Sequence, residues 1–445
     1  MTQLSRIYVD ECRREGGGGL RDAVARAELP PAFTEAWRRH LLPRPWFVHA
    51  PEMAAFAQDV ESLFDLLVSL PHRLFDGDME RYAKEIGLEP HHAALLSRAG
   101  SGRPDRLGRA DAYHDGTSYK LLEFNLGSEV GGLDMAVFNQ GLLRVPEFAA
   151  FAEEHRLGHV DIAAEIAAVL RERARPVVAG GAEPVVGLIE GRGGVAPYGR
   201  LMRAFQEAMA AQGLDLRIGE VGEVRARPDG KLTLDGTPLD VVLRNFAAVQ
   251  LLDDPEGPEV AEPFFRAHEA GRTVLFTSLE SGLYSHKSAL ALLSDPRWST
   301  AFDADERALV DRVLPWSRTL RASGPAELLD LCRERRERLI LKPGAGYGGL
   351  DTFVGWESTD AEWHRALAFA AEHGYLAQER VTPRPEPVYD PATGAVDDWV
   401  AALGVFLTDR GYAGAHARAN RADGAAIVGM SSNPDTRMVG VFSHP

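Results

Sequence analysis

The sequence predicts a chain of mixed α/β and α+β architecture that begins with a helical segment. Three observations support this fold class. Residues 1–100 carry apolar residues at helical spacing, residues 184–278 alternate short apolar runs with helical patterns, and residues 285–445 mix both element types. At 445 residues, the chain is long enough for roughly two to four domains with buried cores.

Composition and charge exclude several classes of protein. Hydrophobic residues make up 45% of the chain and charged residues 26%, which is typical of globular proteins. The net charge of −16 argues against a nucleic-acid partner, because nucleic-acid-binding surfaces are usually basic. Two cysteines, Cys12 and Cys332, are too few for a disulfide framework or a structural zinc site.

Membrane and export signals are also absent from the sequence pattern. No apolar run reaches the ~18 residues of a membrane span, and the opening stretch MTQLSRIYVDECRREGGGGL contains no apolar signal core. We therefore expect no membrane partner and a cytoplasmic location, while a homodimer is left open.

The first part of the chain divides into two segments. Residues 1–104 form the helical N-terminal segment. Residues 108–126 are predicted to form a β-hairpin, because the turn signal Asp115-Gly116 lies between two strand-like runs. Helical patterns follow in residues 133–173, so we assign the hairpin and these helices to a second segment, residues 105–178.

Residues 179–280 are predicted to form a small parallel sheet with a Rossmann-like winding. Short strands alternate with helices here, at residues 184–190, 215–218, 241–244 and 273–278. The first strand leads into the glycine-rich loop GRGGVAPYGR, which opens a helix. Because ligands bind at the carboxyl ends of such strands, Arg192 in this loop is the candidate for binding a substrate carboxylate.

Residues 281–445 are predicted to be of α+β type. The expected helices lie at residues 285–294, 302–313 and 325–336. The expected strands lie at residues 338–342, 352–356, 375–380, 400–408, 412–418 and 437–442. The clearest loop runs from Thr382 to Thr393 and is rich in proline and acidic residues.

Lysine is scarce in this chain, which has five lysines among 49 basic residues. A lysine that persists where arginine is otherwise used suggests a position that needs a compact point charge. Lys342 ends an apolar strand and precedes Gly344, Gly346, Tyr347, Gly348 and Gly349. Glycines let the backbone approach an anion closely, so this motif predicts a phosphate-binding loop, with an ordinary glycine-rich hairpin as the alternative.

Two further motifs fit a nucleotide site. In YSHKSALALL, Lys287 lies in the first turn of a helix, where a positive charge opposes the helix dipole and an anion would offset it. Gln378 and Glu379 form a polar end to the strand YLAQERV, which could hydrogen-bond an adenine edge. The alternatives are a surface lysine and a plain strand end.

The hairpin carries the residues of a predicted metal site. Glu123 and Asn125 are two apart on one strand and share a face, and Asp111 lies across the hairpin. Carboxylate and amide oxygens suit Mg²⁺, whereas the alternative is a solvated polar strand face. A two-residue turn at Asp115-Gly116 would place Asp111 opposite Lys120 and away from Glu123.

A shared metal site therefore requires a different geometry of the hairpin. An odd loop of three or five residues would pair Asp111 with Leu121 and Arg109 with Glu123, and a bulge would also serve. Either solution places all the functional groups of the hairpin on one face.

Together these motifs resemble the ATP-grasp family, in the circularly permuted form of glutathionylspermidine synthetase. Arg109-x-Asp111 and Glu123-x-Asn125 match the family's metal motif, and the metal residues precede the glycine loop as in that permuted group. The resemblance implies that Lys287 and Lys342 bind ATP and that GAGYGG covers its phosphates. It also implies a Rossmann-like pre-ATP-grasp domain at residues 179–280 and an ATP-binding domain at residues 281–445.

The activity that the resemblance implies is ATP- and Mg²⁺-dependent ligation of a carboxylate to an amine through an acyl phosphate. Arg109 and Arg418 would be catalytic, with Asn420 beside the phosphates or the metal. The substrates would be a small-molecule or peptide acid and an amine. A phosphotransferase and a catalytically silent nucleotide-binding protein are the alternatives.

Overall fold

The computed structural model describes residues 2–14, 18–100, 102–178, 180–346 and 349–445. The helices are α1 (Gln3–Arg13), α2 (Gly18–Arg21), α3 (Ala23–Arg26), α4 (Pro31–Trp37), α5 (Ala50–Phe75), α6 (Met79–Ile86), α7 (Pro90–Leu96), α8 (Ala136–Leu143), α9 (Pro146–Glu154), α10 (Ile162–Ala174), α11 (Val195–Ala211), α12 (Ala248–Asp253), α13 (Gly257–Glu269), α14 (Ser281–Ser285), α15 (Lys287–Ser294), α16 (Ala304–Val313), α17 (Ala326–Glu334) and α18 (Asp360–Glu372).

The strands are β1 (Trp46–His49), β2 (Gly108–His114), β3 (Tyr119–Leu126), β4 (Val185–Glu190), β5 (Asp215–Glu220), β6 (Arg225–Ala226), β7 (Leu232–Leu234), β8 (Thr237–Pro238), β9 (Val241–Arg244), β10 (Val274–Phe276), β11 (Ser317–Thr319), β12 (Leu339–Lys342), β13 (Phe353–Val354), β14 (Leu376–Glu379), β15 (Glu386–Tyr389), β16 (Val396–Thr408), β17 (Gly411–Arg421) and β18 (Arg437–His444). No helix in the described ranges is long and apolar enough to cross a membrane.

A large sheet joins distant parts of the chain in the order β1-β18-β17-β16-β2-β3, and β15 pairs with β16 outside this path. It draws strands from the first, second and fourth predicted segments. One face packs against α5, where Phe64 meets Phe124 of β3 with ring centroids 6.4 Å apart. On the opposite face, α8 covers β18: a Cβ added at Gly440 would lie 2.9 Å from a ring carbon of Phe138. On this second face, the end formed by β2 and β3 carries the polar side chains of the predicted metal site.

The predicted Rossmann-like unit is present as a parallel sheet in the order β10-β9-β4-β5. Helices cover both faces, because strands buried on both sides need apolar partners above and below. Met209 of α11 belongs to the same buried cluster as Leu188. On the other face, Phe264 of α13 is buried with Ile189.

A smaller sheet, in the order β11-β14-β12-β13, lies in the C-terminal part of the chain. Its apolar face carries Leu341 and Ala377, which are buried with Trp363 of α18. Side chains alternate along a strand, so Lys342 and Gln378 lie on the other face. That face is the one turned toward the hairpin, because both side chains bond Leu122 of β3.

Some elements differ from the sequence prediction. β1 lies within the segment predicted to be helical, and β15 lies within the predicted loop Thr382 to Thr393. Both are four-residue strands stabilised by pairing with remote strands, β18 and β16, which no local pattern reveals. The predicted helix 285–294 begins at Lys287 as α15, because His286 is extended (ψ 128°), caps this helix and separates it from α14.

Candidate active site

A bulge in the hairpin brings the predicted metal residues onto one face. His114 pairs with Tyr119, so the loop has four residues, and the register then shifts between Asp111 and Ala112. Leu122 is the extra residue on β3. The shift places Asp111 opposite Glu123 and Arg109 opposite Asn125.

The odd loop is therefore wrong, while the alternative of a bulge and the shared face are confirmed. An odd loop would have paired Asp111 with Leu121, but the loop is even and Leu121 pairs with Ala112. The bulge supplies the one-residue shift that the loop does not, because each one-residue slip turns a strand's side chains to the opposite face.

Asp111 lies at the centre of this face between two guanidinium groups. Arg109 donates from Nε to Asp111 Oδ1 (2.6 Å) and from Nη2 to Oδ2 (2.9 Å). Arg418 of β17 donates from Nη2 to Asp111 Oδ2 (2.6 Å). Burial alone would raise the pKa of Asp111, but Arg109 and Arg418 hold it well below its usual range. The carboxylate is therefore ionised at neutral pH.

Gly404 provides the space for this arrangement. It lies opposite Asp111 on β2 and opposite His416 on β17. A Cβ at Gly404 would lie 2.6 Å from Arg109 Cδ and 2.8 Å from His416 Cε1, which is closer than atoms pack. Only a residue without a side chain fits here.

Gly404→Ala is accordingly expected to displace Arg109 and to destabilise the protein by about 1–3 kcal/mol through overpacking. Gly222→Ala is the matched control, since a Cβ at Gly222 meets nothing within 4 Å. Thermal denaturation of both variants measures the difference. Equal midpoints would contradict the packing described here.

Glu123 pairs with the first of the two motif lysines. Lys287 Nζ lies 3.3 Å from Glu123 Oε2 and donates to the Gly346 carbonyl at 3.1 Å. Burial would raise the pKa of Glu123, but the positive charges of Lys287 and Lys342 lower it. The Glu123 side chain is 24% exposed, against 3% for Asp111, so Glu123 is the carboxylate that solvent and ligands reach.

Lys342 is the second motif lysine and approaches the hairpin from the smaller sheet. Its Nζ donates to Gln378 Oε1 (2.8 Å) and to the carbonyl of the bulged Leu122 (3.4 Å). Burial lowers the pKa of Lys342 to about 8, with Lys287 adding to the effect and Glu123 opposing it. The pKa of the Lys342 amine therefore lies close to neutral pH. A nearby anion would stabilise the charged form of the amine.

If Lys342 binds a phosphate of ATP, as the sequence predicts, this pKa makes the affinity for Mg·ATP depend on pH. A phosphate oxygen needs the protonated amine, so affinity should fall about tenfold between pH 7 and pH 9 as Lys342 loses its proton. Calorimetric titration at the two pH values measures it. In Lys342→Arg, whose guanidinium stays charged, the remaining affinity should be constant over this range. Equal wild-type affinities would refute the assignment of Lys342 to the phosphates.

The glycine loop meets the lysine helix at its start. The Gly344 carbonyl accepts the Lys287 backbone N–H (2.9 Å), and a Cβ at Gly344 would lie 2.3 Å from His286 Cε1. On the far side of the loop, a Cβ at Gly349 would lie 2.5 Å from Ile427 Cγ2. The predicted loop residues Tyr347 and Gly348 lie outside the described residues.

Arg418 and Arg109 differ in how many of their guanidinium N–H groups are already hydrogen-bonded. Arg109 is engaged with Asp111 and donates from Nη1 to the Gly131 carbonyl (3.0 Å). Arg418 Nε is buried without a hydrogen-bond partner in the described structure. Asn420 is not free for a ligand, because its amide donates to the carbonyls of Ala425 and Ile427.

The other predicted ligands have partners of their own. Gln378 is 2% exposed and its side chain is committed to Lys342 and the hairpin. The Glu379 backbone N–H donates to the Trp316 carbonyl (2.8 Å). Arg192 is 48% exposed and pairs with Asp254 (2.9 Å) and Glu256, so no contact joins it to the cluster. The roles given to these three residues stay predictions.

We define the cation cluster as the four cations Arg109, Lys287, Lys342 and Arg418 with the carboxylates of Asp111 and Glu123 and the Asn125 amide. Four positive charges surround two negative ones, a balance that suits a polyphosphate. The donor set also suits Mg²⁺ in kind, since Asn125 adds an amide to two carboxylates. No group of three or more His, Cys, Asp or Glu side chains in the described ranges could hold a metal alone.

His416 is a member of this face that the sequence analysis did not single out. It is 1% exposed, and its Nδ1 has no hydrogen-bond partner among the residues described. Burial and the charges of Arg109 and Arg418 hold its pKa well below the ordinary value, so the imidazole is neutral. The sequence did contain a signal for His416. It lies two residues before Arg418, and residues two apart on a strand share a face.

Comparisons with known proteins bear on the fold. No family model matches the chain, and no curated protein matches it. Among solved structures, the apo form of a glutathione synthetase-like effector (GSS30) from Globodera pallida matches with a TM-score of 0.58 at 12% identity. The match covers 99% of this chain and 98% of that one. The two chains share a fold.

A second solved structure is similar over part of the chain only. D-alanyl-alanine synthetase A from Vibrio cholerae O1 biovar eltor str. N16961 also matches, at 12% identity. That match covers 51% of this chain and 68% of the other, and its TM-score of 0.29 is too low to carry an argument.

Proposed function

We propose that this chain is an ATP- and Mg²⁺-dependent carboxylate–amine ligase of the circularly permuted ATP-grasp type. The observation that carries the proposal is the cation cluster, in which side chains from the large sheet, the smaller sheet and α15 converge on one point. The hairpin that supplies the carboxylates precedes the glycine loop in the chain, which is the permuted order.

Each residue of the cluster has a role in phosphoryl transfer. Lys287 and Lys342 would neutralise phosphate oxygens, and the glycine loop would exclude water from the reacting groups. Asp111, Glu123 and Asn125 are the groups that would hold Mg²⁺, which neutralises charge on the phosphates when bound.

The two arginines of the cluster would have different roles. Arg109 holds Asp111 in place, since its donors are already engaged. Arg418 donates to Asp111 from Nη2 and its side chain is 14% exposed, so the exposed edge of its guanidinium would bind the substrate carboxylate and the charge that develops on it.

The reaction itself follows from what such a site can stabilise. The carboxylate attacks the terminal phosphorus, ADP leaves, and an amine then displaces phosphate from the acyl phosphate to form an amide. The chain supplies positioning and charge rather than a covalent nucleophile. The substrates would be a small-molecule or peptide acid and an amine.

Trapping with hydroxylamine tests the proposal. The protein is incubated with Mg·ATP, panels of carboxylic acids and hydroxylamine, and both ADP and hydroxamate are measured. A ligase forms the two in equal amounts with at least one acid. ADP formed with a stable phosphorylated product and no hydroxamate would indicate a phosphotransferase. Wild-type protein that neither binds nor cleaves ATP would refute the proposal.

A further inference from the structure

The short helix α14 lies immediately before Lys287 and is attached to the hairpin at its C-terminal end. Ser285 Oγ accepts the backbone N–H of Leu126 (3.2 Å) and donates to the carbonyl of Phe124 (3.3 Å). These two residues flank Asn125 on β3. The end of α14 is thereby held against the strand that carries Glu123.

The N-terminal end of α14 is attached through a buried arginine. Arg244, at the end of β9, is 1% exposed and donates from Nη2 to Ser281 Oγ (3.3 Å). Its Nε donates to the Thr277 carbonyl (2.8 Å) and its Nη1 to the Phe246 carbonyl (2.6 Å). The guanidinium thus joins the end of the parallel sheet to the start of the helix.

The same guanidinium holds the chain that leaves β3. Arg244 Nη2 lies 2.6 Å from Glu129 Oε2, and Ser128 Oγ donates to the Arg244 carbonyl (2.6 Å). Gly127 has a φ of +123°, and a Cβ there would lie 2.4 Å from Glu129 Oε2. The segment that follows Asn125 is therefore shaped to bring Glu129 to Arg244.

We propose that Arg244 is a positioning residue for the phosphate-binding Lys287, acting through Glu129, Ser281 and helix α14. Arg244 contacts none of the cation cluster. It holds both the strand exit and the helix start whose relative placement sets Lys287 Nζ 3.3 Å from Glu123 Oε2. The inference rests on the proposed function, in that Lys287 is taken as a nucleotide ligand.

Two substitutions at its partners test this role, because Arg244 itself is too deeply buried to replace safely. In both variants the guanidinium keeps its hydrogen bonds to the Thr277 and Phe246 carbonyls, which limits the loss of stability. Glu129→Gln removes the charge that faces Arg244, and Ser281→Ala removes its contact on α14. Glu61→Gln is the matched control: Glu61 pairs with Arg106 at 3.2 Å and its side chain is 30% exposed, against 29% for Glu129. Hydrogen exchange over residues 281–293, thermal midpoints and affinity for Mg²⁺ with a non-hydrolysable ATP analogue are measured for each.

The expected result is a local and functional loss without global unfolding. Exchange over residues 281–293 and the dissociation constant of the analogue should each rise about tenfold in both variants, at a thermal midpoint within the range of the control. A purely structural contact would not lower affinity at an unchanged midpoint.

Other outcomes would overturn either the positioning role of Arg244 or the proposed function. Unchanged affinity in both variants overturns the positioning role, whether or not exchange changes. If the wild-type protein binds no analogue, the proposed function fails, and exchange over residues 281–293 then decides alone whether Arg244 positions α14: rates equal to the control would overturn it.

Discussion

Lys342→Met is expected to weaken Mg·ATP binding about a hundredfold while leaving the fold intact. Methionine matches the length of lysine but removes the charge that a phosphate oxygen would meet, and charge-assisted hydrogen bonds contribute about 1.5–3 kcal/mol each. The carbonyl of Leu122 keeps a donor in this variant, since Gln378 Nε2 also binds it (3.2 Å). Calorimetric titration measures the loss.

Two further variants make this test specific. Lys342→Arg should also bind poorly, because a planar guanidinium does not fit between Gln378 and the Leu122 carbonyl. Lys84→Met is the control, since Lys84 is exposed on α6, and it should bind like the wild type. Wild-type affinity in Lys342→Met would remove this lysine from the site.

Asp111→Asn is expected to destabilise the protein by about 3–5 kcal/mol. The substitution leaves the guanidinium groups of Arg109 and Arg418 buried without a carboxylate, and removing one partner of a buried ion pair carries a cost of this size. Denaturant titration measures the change. Glu123→Gln is the comparison, because Glu123 is 24% exposed and contacts one cation. It should lose Mg²⁺-dependent turnover but little stability.

Asp111→Asn should lose both stability and Mg²⁺-dependent turnover, because Asp111 also belongs to the proposed metal site, whereas Glu123→Gln should lose turnover alone. If Asp111→Asn and Glu123→Gln are equally stable, the central position assigned to Asp111 is wrong. If Glu123→Gln keeps full turnover with Mg²⁺, Glu123 does not belong to the metal site.

Much of the fold could be predicted from the local pattern of apolar and polar residues in the sequence. The strand 241–244 is found as β9, and the helical pattern expected in residues 133–173 includes α10. Both have apolar patterns long or regular enough to identify their type. β1 could not be found in this way, since its four residues are ordered by pairing with β18 from the other end of the chain.

The candidate site was predictable where residue type carries the information. Scarce lysines and a carboxylate in an apolar strand single out Lys287, Lys342 and Glu123 whatever the register. The sequence allowed a bulge but could not favour it over an odd loop or place it at Leu122, because no local pattern distinguishes the two solutions. The hydrogen bond between Lys342 and Gln378 could not be predicted either, because it depends on how β12 and β14 pair.

The central claim, that the cation cluster binds the phosphates of ATP, is tested most directly by a crystal structure with Mg²⁺ and a non-hydrolysable ATP analogue. We predict that the phosphates lie between Lys287 and Lys342 with the metal on Glu123. A nucleotide bound elsewhere, with Lys287 still on Glu123 and Lys342 still on Gln378, would contradict the account.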